Sequence, residues 1–181
     1  FGAALLELRR QSGWLVQANA ELHRHALEDD LTGLANRTIL RDRLEQALRS
    51  RSRSQRDVGI VACDIDAFRA VNERLGHAAG DELLRLTAKR MGGVARGSDT
   101  LARVAGDEFV LVCPGLTRTQ DVEIVRTRLR AAVEQPVAFG GTSFVPRLSI
   151  GAIVAEAGED ADAALRRADS AMQVAKRTAP A

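Results

Sequence analysis

Apolar residues recur along the chain in two patterns, and each pattern predicts its own kind of element. Residues 58–63 form an uninterrupted apolar run, which is typical of a central strand covered on both faces. Residues 101–104 and 109–113 are β-prone runs on either side of a short polar segment, a spacing that predicts a β-hairpin with a tight turn. Further strands are predicted over residues 137–139 and 143–154.

The segments between these strands repeat their apolar residues with the period of an amphipathic helix. The predicted helices run up to residue 48 and over residues 67–75, 82–94, 119–133 and 160–177, with a polar loop over 50–57 and a turn over 76–81. This order of elements predicts an α+β sandwich in which helices flank a central antiparallel sheet on one face or both.

A different pattern precedes this domain, in residues 5–26. Leucines at positions 8, 15 and 22 repeat every seven residues, and Asn19 falls at a seam position where a buried Asn favours a two-stranded coil. The pattern predicts a parallel coiled coil; a helix packed on its own domain is the alternative, because the seam is short and contains Gly13. We therefore divide the chain into an N-terminal signalling and dimerisation helix over residues 1–28 and a domain over residues 29–181.

Composition limits the size and the partners of the protein. Its 181 residues are 45% apolar, enough for one core with an extension, and its net charge is +2. Because the basic residues are spread along helices and form no single stripe, we expect a small ligand and no nucleic acid. Cys63 and Cys113 lie in apolar runs, which favours buried free thiols in a reducing compartment over a disulfide.

The sequence also bears on location. No run reaches membrane-spanning length and no signal peptide is visible, so we expect a cytoplasmic domain. The chain opens with Phe1 and not with Met, and we expect it to be part of a longer protein whose upstream sensor or membrane segment anchors it.

Three acidic residues mark the ends of predicted strands. Asp64 follows the apolar run, and Asp107 with Glu108 occupies the hairpin turn beside Gly106, which can adopt a positive φ and admit a close neighbour. These residues taken alone favour a solvated turn with an incidental acidic pair. If the hairpin lies beside the first strand, however, the acids converge, and oxygen ligands without His or Cys suit Mg²⁺ completed by substrate phosphates. A nucleoside triphosphate is then the expected substrate class.

Six segments of the chain, in this order and spacing, resemble the GGDEF diguanylate cyclase domains over roughly residues 29–176. They are Asp29-Asp-Leu-Thr-Gly-Leu-Ala-Asn-Arg37, Asp64-Ile-Asp-Ala-Phe68 with Asn72, Gly76-His-Ala-Ala-Gly-Asp81, Arg103-Val-Ala-Gly-Asp-Glu-Phe109, Ser149-Ile-Gly151 and Ala168-Asp-Ser-Ala-Met-Gln-Val-Ala-Lys176. The resemblance implies an α+β fold of the nucleotidyl-cyclase or palm type.

The resemblance also implies an activity, the condensation of two GTP molecules into cyclic di-GMP with release of pyrophosphate. Each subunit of a two-fold homodimer would hold one GTP, because one domain cannot place two nucleotides face to face. By position, Asp64, Asp107 and the Ile65 carbonyl are the expected ligands of Mg²⁺, with Mn²⁺ as the alternative ion. Asp64, Asp107 and Glu108 are the expected catalytic acids.

The substrate contacts carry over in the same way. Asn72 and Asp81 are expected to bind the guanine edge, and the presence of Asp81 favours GTP. Lys176 is expected to neutralise the triphosphate, the backbone N–H of Phe68 to add to the phosphate site, and Gly106 to let the phosphate approach the turn.

A regulatory site and several departures from the family pattern complete the comparison. Arg96 and Asp99 match the family's inhibitory Arg-x-x-Asp site, which would bind product. Ala105 replaces a usual glycine and fits if its φ stays negative and its side chain does not press against the phosphate. After Lys176 a second phosphate-binding Arg is absent or replaced by Arg177, which puts triphosphate affinity in question. The alternatives are an inactive module that binds cyclic di-GMP or GTP, and another nucleotidyl cyclase or polymerase-like palm.

Overall fold

The computed structural model describes residues 27–178. Its helices are α1 (Arg37–Ser54), α2 (Phe68–Leu75), α3 (His77–Gly92), α4 (Asp121–Val133) and α5 (Ala161–Thr178). Its strands are β1 (Asp57–Ile65), β2 (Thr100–Ala105), β3 (Glu108–Leu116), β4 (Val137–Phe139), β5 (Thr142–Phe144) and β6 (Leu148–Val154).

The central sheet has the strand order β2-β3-β1-β6, and every neighbouring pair is antiparallel. Strands β4 and β5 form a separate hairpin. Strand β1 lies between two partners, and its residues from Val58 to Ile65 are all buried. This position explains the uninterrupted apolar run, because neither face of the strand meets water.

Helices cover both faces of the sheet. On one face, Val61 and Cys63 of β1 pack in a cluster with residues of α3 and α4. On the other face, Ile60 and Ala62 pack in a second cluster with residues of α1 and α5. The alternation of β1 side chains between these clusters confirms the predicted α+β fold with flanking helices.

Two predicted loop segments proved wrong. Helix α1 continues to Ser54 through most of the segment predicted as a loop, since arginine is a good helix former and Arg51 reaches Asp57 at the start of β1 at 2.9 Å. Helix α3 begins at His77, five residues before the predicted start at residue 82. Gly76 adopts φ +86° and so turns the chain directly from α2 into α3.

The prediction of one continuous strand over residues 143–154 was wrong. The segment is interrupted between β5 and β6 by Val145, Pro146 and Arg147. Proline has no N–H to donate to a neighbouring strand, so a break at this point is expected from its chemistry.

Other expectations differ in how far they are tested. The predicted coiled coil over residues 5–26 lies outside the described residues, and the division at residue 28 stays a prediction. Cys63 and Cys113 are buried free thiols as expected, and burial raises the pKa of each to about 12. Within residues 27–178, no helix is both long and apolar enough to cross a membrane.

Candidate active site

The three predicted acids meet at one end of the central sheet. Asp64 lies opposite Glu108 in the register of β1 and β3. The backbone N–H of Ile65 donates to the carbonyl of Asp107 at 3.4 Å, which places the hairpin turn against the end of β1. The pairing of β1 with β3 therefore brings together residues more than forty positions apart in the sequence.

The turn itself depends on glycine conformation. Gly106 has φ +44°, in the left-handed region, and a Cβ added there would meet no described atom within 4 Å. Conformation, and not lack of space, therefore favours glycine at this position. In residues 27–178 the non-glycine residues with positive φ are Gln55 and Ala67, so the φ of Ala105 is negative. The first condition for accepting alanine at position 105, a negative φ, is therefore met.

Lys176 of α5 reaches into this end of the sheet. Its Nζ donates to Asp64 Oδ1 at 2.7 Å, and the Asp64 residue is only 3% exposed. Burial raises the pKa of Asp64 despite the lysine, and the hydrogen bond to Asp64 raises the pKa of Lys176. The pair therefore places an ammonium charge directly beside the buried carboxylate.

Glu108 lies among like charges. Burial raises its pKa, and the carboxylates of Asp169, Asp64 and Asp107 raise it further, while Lys176 opposes them. The electrostatic contribution of Asp169, on α5, was not anticipated from the sequence. Such a cluster of acids is costly without a cation and therefore favours binding one.

The donor chemistry fits a hard divalent ion. Asp64, Asp107 and the Ile65 carbonyl offer only oxygen, the ligand type that Mg²⁺ and Mn²⁺ accept. No group of three or more His, Cys, Asp or Glu side chains within residues 27–178 is arranged to hold a metal unaided. Any ion at this place thus needs water or ligand oxygens as well, as is usual for Mg²⁺.

The chain after β1 forms a fixed loop. The N–H of Asp66 donates to the carbonyl of Arg147 at 3.0 Å, and the Ser149 hydroxyl donates to Asp66 Oδ1 at 2.5 Å. Ala67 then adopts φ +56°, an unfavourable conformation for a residue with a Cβ, and α2 begins at Phe68. Sequence reasoning missed both the hydroxyl contact and the strained alanine.

Asn72 and Asp81 lie where α2 meets α3. A Cβ added to Gly80 would overlap the Asn72 side-chain amide and come within 3.3 Å of the Phe68 ring, so all three residues are in close proximity. Asp81 is the next residue of α3 and is exposed. Gly80 is thus needed to admit Asn72, a role that its place in the Gly-Asp pair did not reveal.

A second contact network ties the N-terminal segment to the signature turn. Arg103 donates from Nε to the Gly106 carbonyl at 2.8 Å and from Nη1 to both Asp29 oxygens at 3.0 Å. Asp29 also accepts the N–H and hydroxyl of Thr32 at 2.9 and 2.6 Å. These residues were noted only as parts of motifs, and their contact joins positions 74 residues apart.

Arg96 and Asp99 lie away from the acids. They form a turn in which Asp99 Oδ2 accepts the Arg96 N–H at 2.7 Å. Strand β2 runs from this turn to the hairpin, so its length, roughly 20 Å at about 3.3 Å per residue, separates the two places. The structure thus groups the predicted metal and phosphate residues and keeps the predicted inhibitory pair apart.

Comparison with known proteins gives consistent results. The family model "Diguanylate cyclase, GGDEF domain" matches residues 26–180. The chain is similar to diguanylate cyclase TpbB of Pseudomonas aeruginosa strain UCBPP-PA14, with 37% identity over 99% of the chain and 42% of that protein. It is also similar to diguanylate cyclase DgcP of the same species, with 38% identity over 84% of the chain and 23% of that protein. The chain thus spans less than half the length of these curated relatives.

Solved structures show the same likeness. The coiled coil and GGDEF domain of DgcB from Caulobacter crescentus, in complex with c-di-GMP, superimposes with a TM-score of 0.85 at 27% identity, covering 97% of this chain and 93% of that one. The isolated GGDEF domain of TpbB from P. aeruginosa superimposes with a TM-score of 0.80 at 35% identity, covering 84% and 90%.

Proposed function

The chain belongs to the GGDEF domain family, and from this premise we propose that it is a diguanylate cyclase, which condenses two GTP molecules into cyclic di-GMP and two pyrophosphates. The observation that carries the proposal is the meeting of Asp64, Asp107 and Glu108 at one end of the sheet, with Lys176 bonded to Asp64 at 2.7 Å. Oxygen ligands beside a cation form a site suited to phosphoryl transfer.

Asp64, Asp107 and the Ile65 carbonyl would hold Mg²⁺, or Mn²⁺, in this site. When bound, the ion neutralises charge that develops on the phosphate during transfer. Lys176 would bind the triphosphate, and the N–H of Phe68 at the start of α2 would add a hydrogen bond.

The guanine would lie where α2 meets α3. There Asn72 can hydrogen-bond the base, and Asp81 can accept from its N1–H and its exocyclic amine. Adenine offers no such donor pair, so the Asp81 carboxylate would favour GTP over ATP by leaving a polar group unpaired in the wrong complex.

The reaction needs two copies of the chain. Each would hold one GTP, and the 3′-hydroxyl of each nucleotide would attack the α-phosphorus of the other as the bond to its β-phosphate breaks. A two-fold homodimer supplies both half-sites by symmetry. We propose that the N-terminal helix over residues 1–28 brings the two copies together in the cytoplasm, where GTP is available.

Product would regulate the enzyme at Arg96 and Asp99. The guanidinium can pair with phosphate and stack on guanine, while the Asp99 carboxylate accepts from the base. Because this turn is separated from the acids by the length of β2, product bound there would act as an allosteric inhibitor.

The second candidate is an inactive module that binds cyclic di-GMP or GTP. Its support is that the chain is also 34% identical, over 90% of its length, to a P. aeruginosa protein named cyclic di-GMP phosphodiesterase NbdA, of which it spans 21%. A domain similar to this chain can therefore be part of a protein that is named for a different activity.

One experiment separates these functions. The purified chain is incubated with GTP and Mg²⁺ and the nucleotides are resolved by chromatography, with Asp107→Asn as the inactive control. Cyclic di-GMP made by the wild type and not by the control supports the cyclase. GTP or cyclic di-GMP binding without turnover supports the module, and a different nucleotide product supports another cyclase.

A further inference from the structure

A cleft of about 860 Å³ opens beside the acidic end of the sheet. Lys176 and Asp66 line it on the side of the proposed active site, and Phe144 and Pro146 form part of its apolar wall. A cleft of this volume is large enough for a nucleotide or part of one. It is therefore the space next to Lys176 into which a triphosphate can extend.

Four cations line this cleft, and three of them already have an acidic partner. These pairs are Lys176 with Asp64 at 2.7 Å, Arg126 with Glu123 at 2.7 Å and Arg130 with Glu134 at 3.6 Å. The fourth cation, Arg147, is exposed and forms no side-chain hydrogen bond or ion pair with any residue in the range 27–178. Its guanidinium is the positive charge of the cleft that is free to meet a ligand.

The backbone holds Arg147 next to the proposed phosphate site. Its carbonyl accepts the Asp66 N–H at 3.0 Å, directly before the strained Ala67 and the start of α2. Two residues further on, Ser149 lies opposite Asp64 in the register of β6 and β1. Because β6 begins at Leu148, the residue after Arg147, the Arg147 backbone lies at the same end of the sheet as Asp64.

The charges of a bound triphosphate call for such a residue. One Mg²⁺ neutralises only part of the charge of GTP, and the charge of Lys176 is already shared with Asp64. We propose that Arg147 binds the β- and γ-phosphates and is the second cation of the triphosphate site. This inference rests on the proposed function, since it assigns a contact to the same substrate. A planar guanidinium is well suited to this contact because it can donate two hydrogen bonds to one phosphate.

The test compares Arg147→Gln with the wild type in initial-rate kinetics on GTP with Mg²⁺ and in calorimetric titrations with GDP and GMP. Loss of one charge-assisted contact should raise KM for GTP about 10- to 100-fold, weaken GDP to a similar extent and leave GMP unchanged. Arg147→Lys should recover part of the affinity. Arg53→Gln, an exposed arginine at the end of α1, is the matched control and should behave as wild type.

Each outcome decides one point. An unchanged KM for GTP and an unchanged GDP affinity in Arg147→Gln would overturn the assignment while wild-type synthesis of cyclic di-GMP leaves the proposed function standing. Equal weakening of GMP and GDP, or a lowered melting temperature that accounts for the loss, would give Arg147 a structural role instead and also overturn it. A wild type that neither binds GTP nor forms cyclic di-GMP would overturn the proposed function, and this assignment with it.

Discussion

Gly151 is a position where the packing of the sheet against a helix can be tested. It lies on β6 directly under α5, and an added Cβ would come within 2.5 Å of the Ala168 carbonyl oxygen and 2.7 Å of the Ala171 carbonyl carbon. Both are backbone atoms, so no side chain can rotate away. In Gly151→Ala the helix must retreat by about 1 Å to restore ordinary contact distances.

This retreat would be felt at the active site. Lys176 lies on the same helix, five residues beyond Ala171, and a shift of about 1 Å would stretch its 2.7 Å bond to Asp64 beyond hydrogen-bonding range. Overpacking a well-packed contact costs about 1–3 kcal/mol, and we expect the upper end because backbone must move. For a domain of this size, such a loss lowers Tm by about 6–12 °C.

The assay is thermal unfolding together with GTP turnover below the transition. Gly92→Ala is the matched control, since Gly92 is helical and its Cβ would meet nothing within 4 Å; it should be neutral or stabilising by up to about 1 kcal/mol. The reasoning is refuted if Gly151→Ala unfolds at the wild-type temperature or if both glycine variants lose the same stability.

Three further predictions concern charged groups. Burial acts to raise the pKa of Asp29, but hydrogen bonds from Thr32 and Arg103 outweigh it and hold the folded-state pKa below the ordinary value of 3.8. The Asp29 carboxylate therefore stabilises the fold above pH 3.8, and this stabilisation is lost as the pH falls through the lower folded-state pKa. Asp29→Asn should therefore lower the free energy of unfolding, measured in urea at pH 7, by about 2 kcal/mol. A difference between wild type and variant that does not become smaller in acid would contradict this explanation. Arg96→Ala should raise the product concentration needed for half-inhibition at least about tenfold with little change in initial rate, because it removes a charged contact to the product. Unchanged inhibition would count against the site. Burial and neighbouring carboxylates raise the pKa of Glu108, so its charge opposes folding above its folded pKa, whereas below the ordinary value of 4.5 it is protonated in both states. Metal-free Glu108→Gln should thus melt higher than wild type at pH 7 but not at acid pH, and should lose turnover; a lower melting temperature at pH 7 would show that the charge is stabilising.

The sequence was most informative where local pattern and burial agree. The hairpin around Gly106 and the buried strand that ends at Asp64 follow from short apolar runs and a glycine turn, and antiparallel pairing then brings the acids together. The loop predicted over residues 50–57 failed because polar arginines there signal solvent exposure but are equally good helix formers.

Long-range contacts were beyond the reach of residue pattern alone. Arg103 meets Asp29 across 74 residues and Ser149 meets Asp66 across 83, and neither pairing leaves a periodic signal in the chain. The positive φ of Ala67 is likewise imposed by the loop around it, since alanine itself disfavours that conformation. Lys176 could be assigned to the site only through its resemblance to a family motif.

Strand β2 lies at the edge of the sheet, where an open row of backbone groups would be a template for pairing between molecules. The segment before α1 covers part of this edge, because Ala35 bridges to Ala102 and its carbonyl accepts the Arg103 N–H at 3.0 Å. A fragment trimmed to begin at α1 would thus lose its protection against aggregation along with Asp29. Truncations intended for expression should keep the residues from 27 onward.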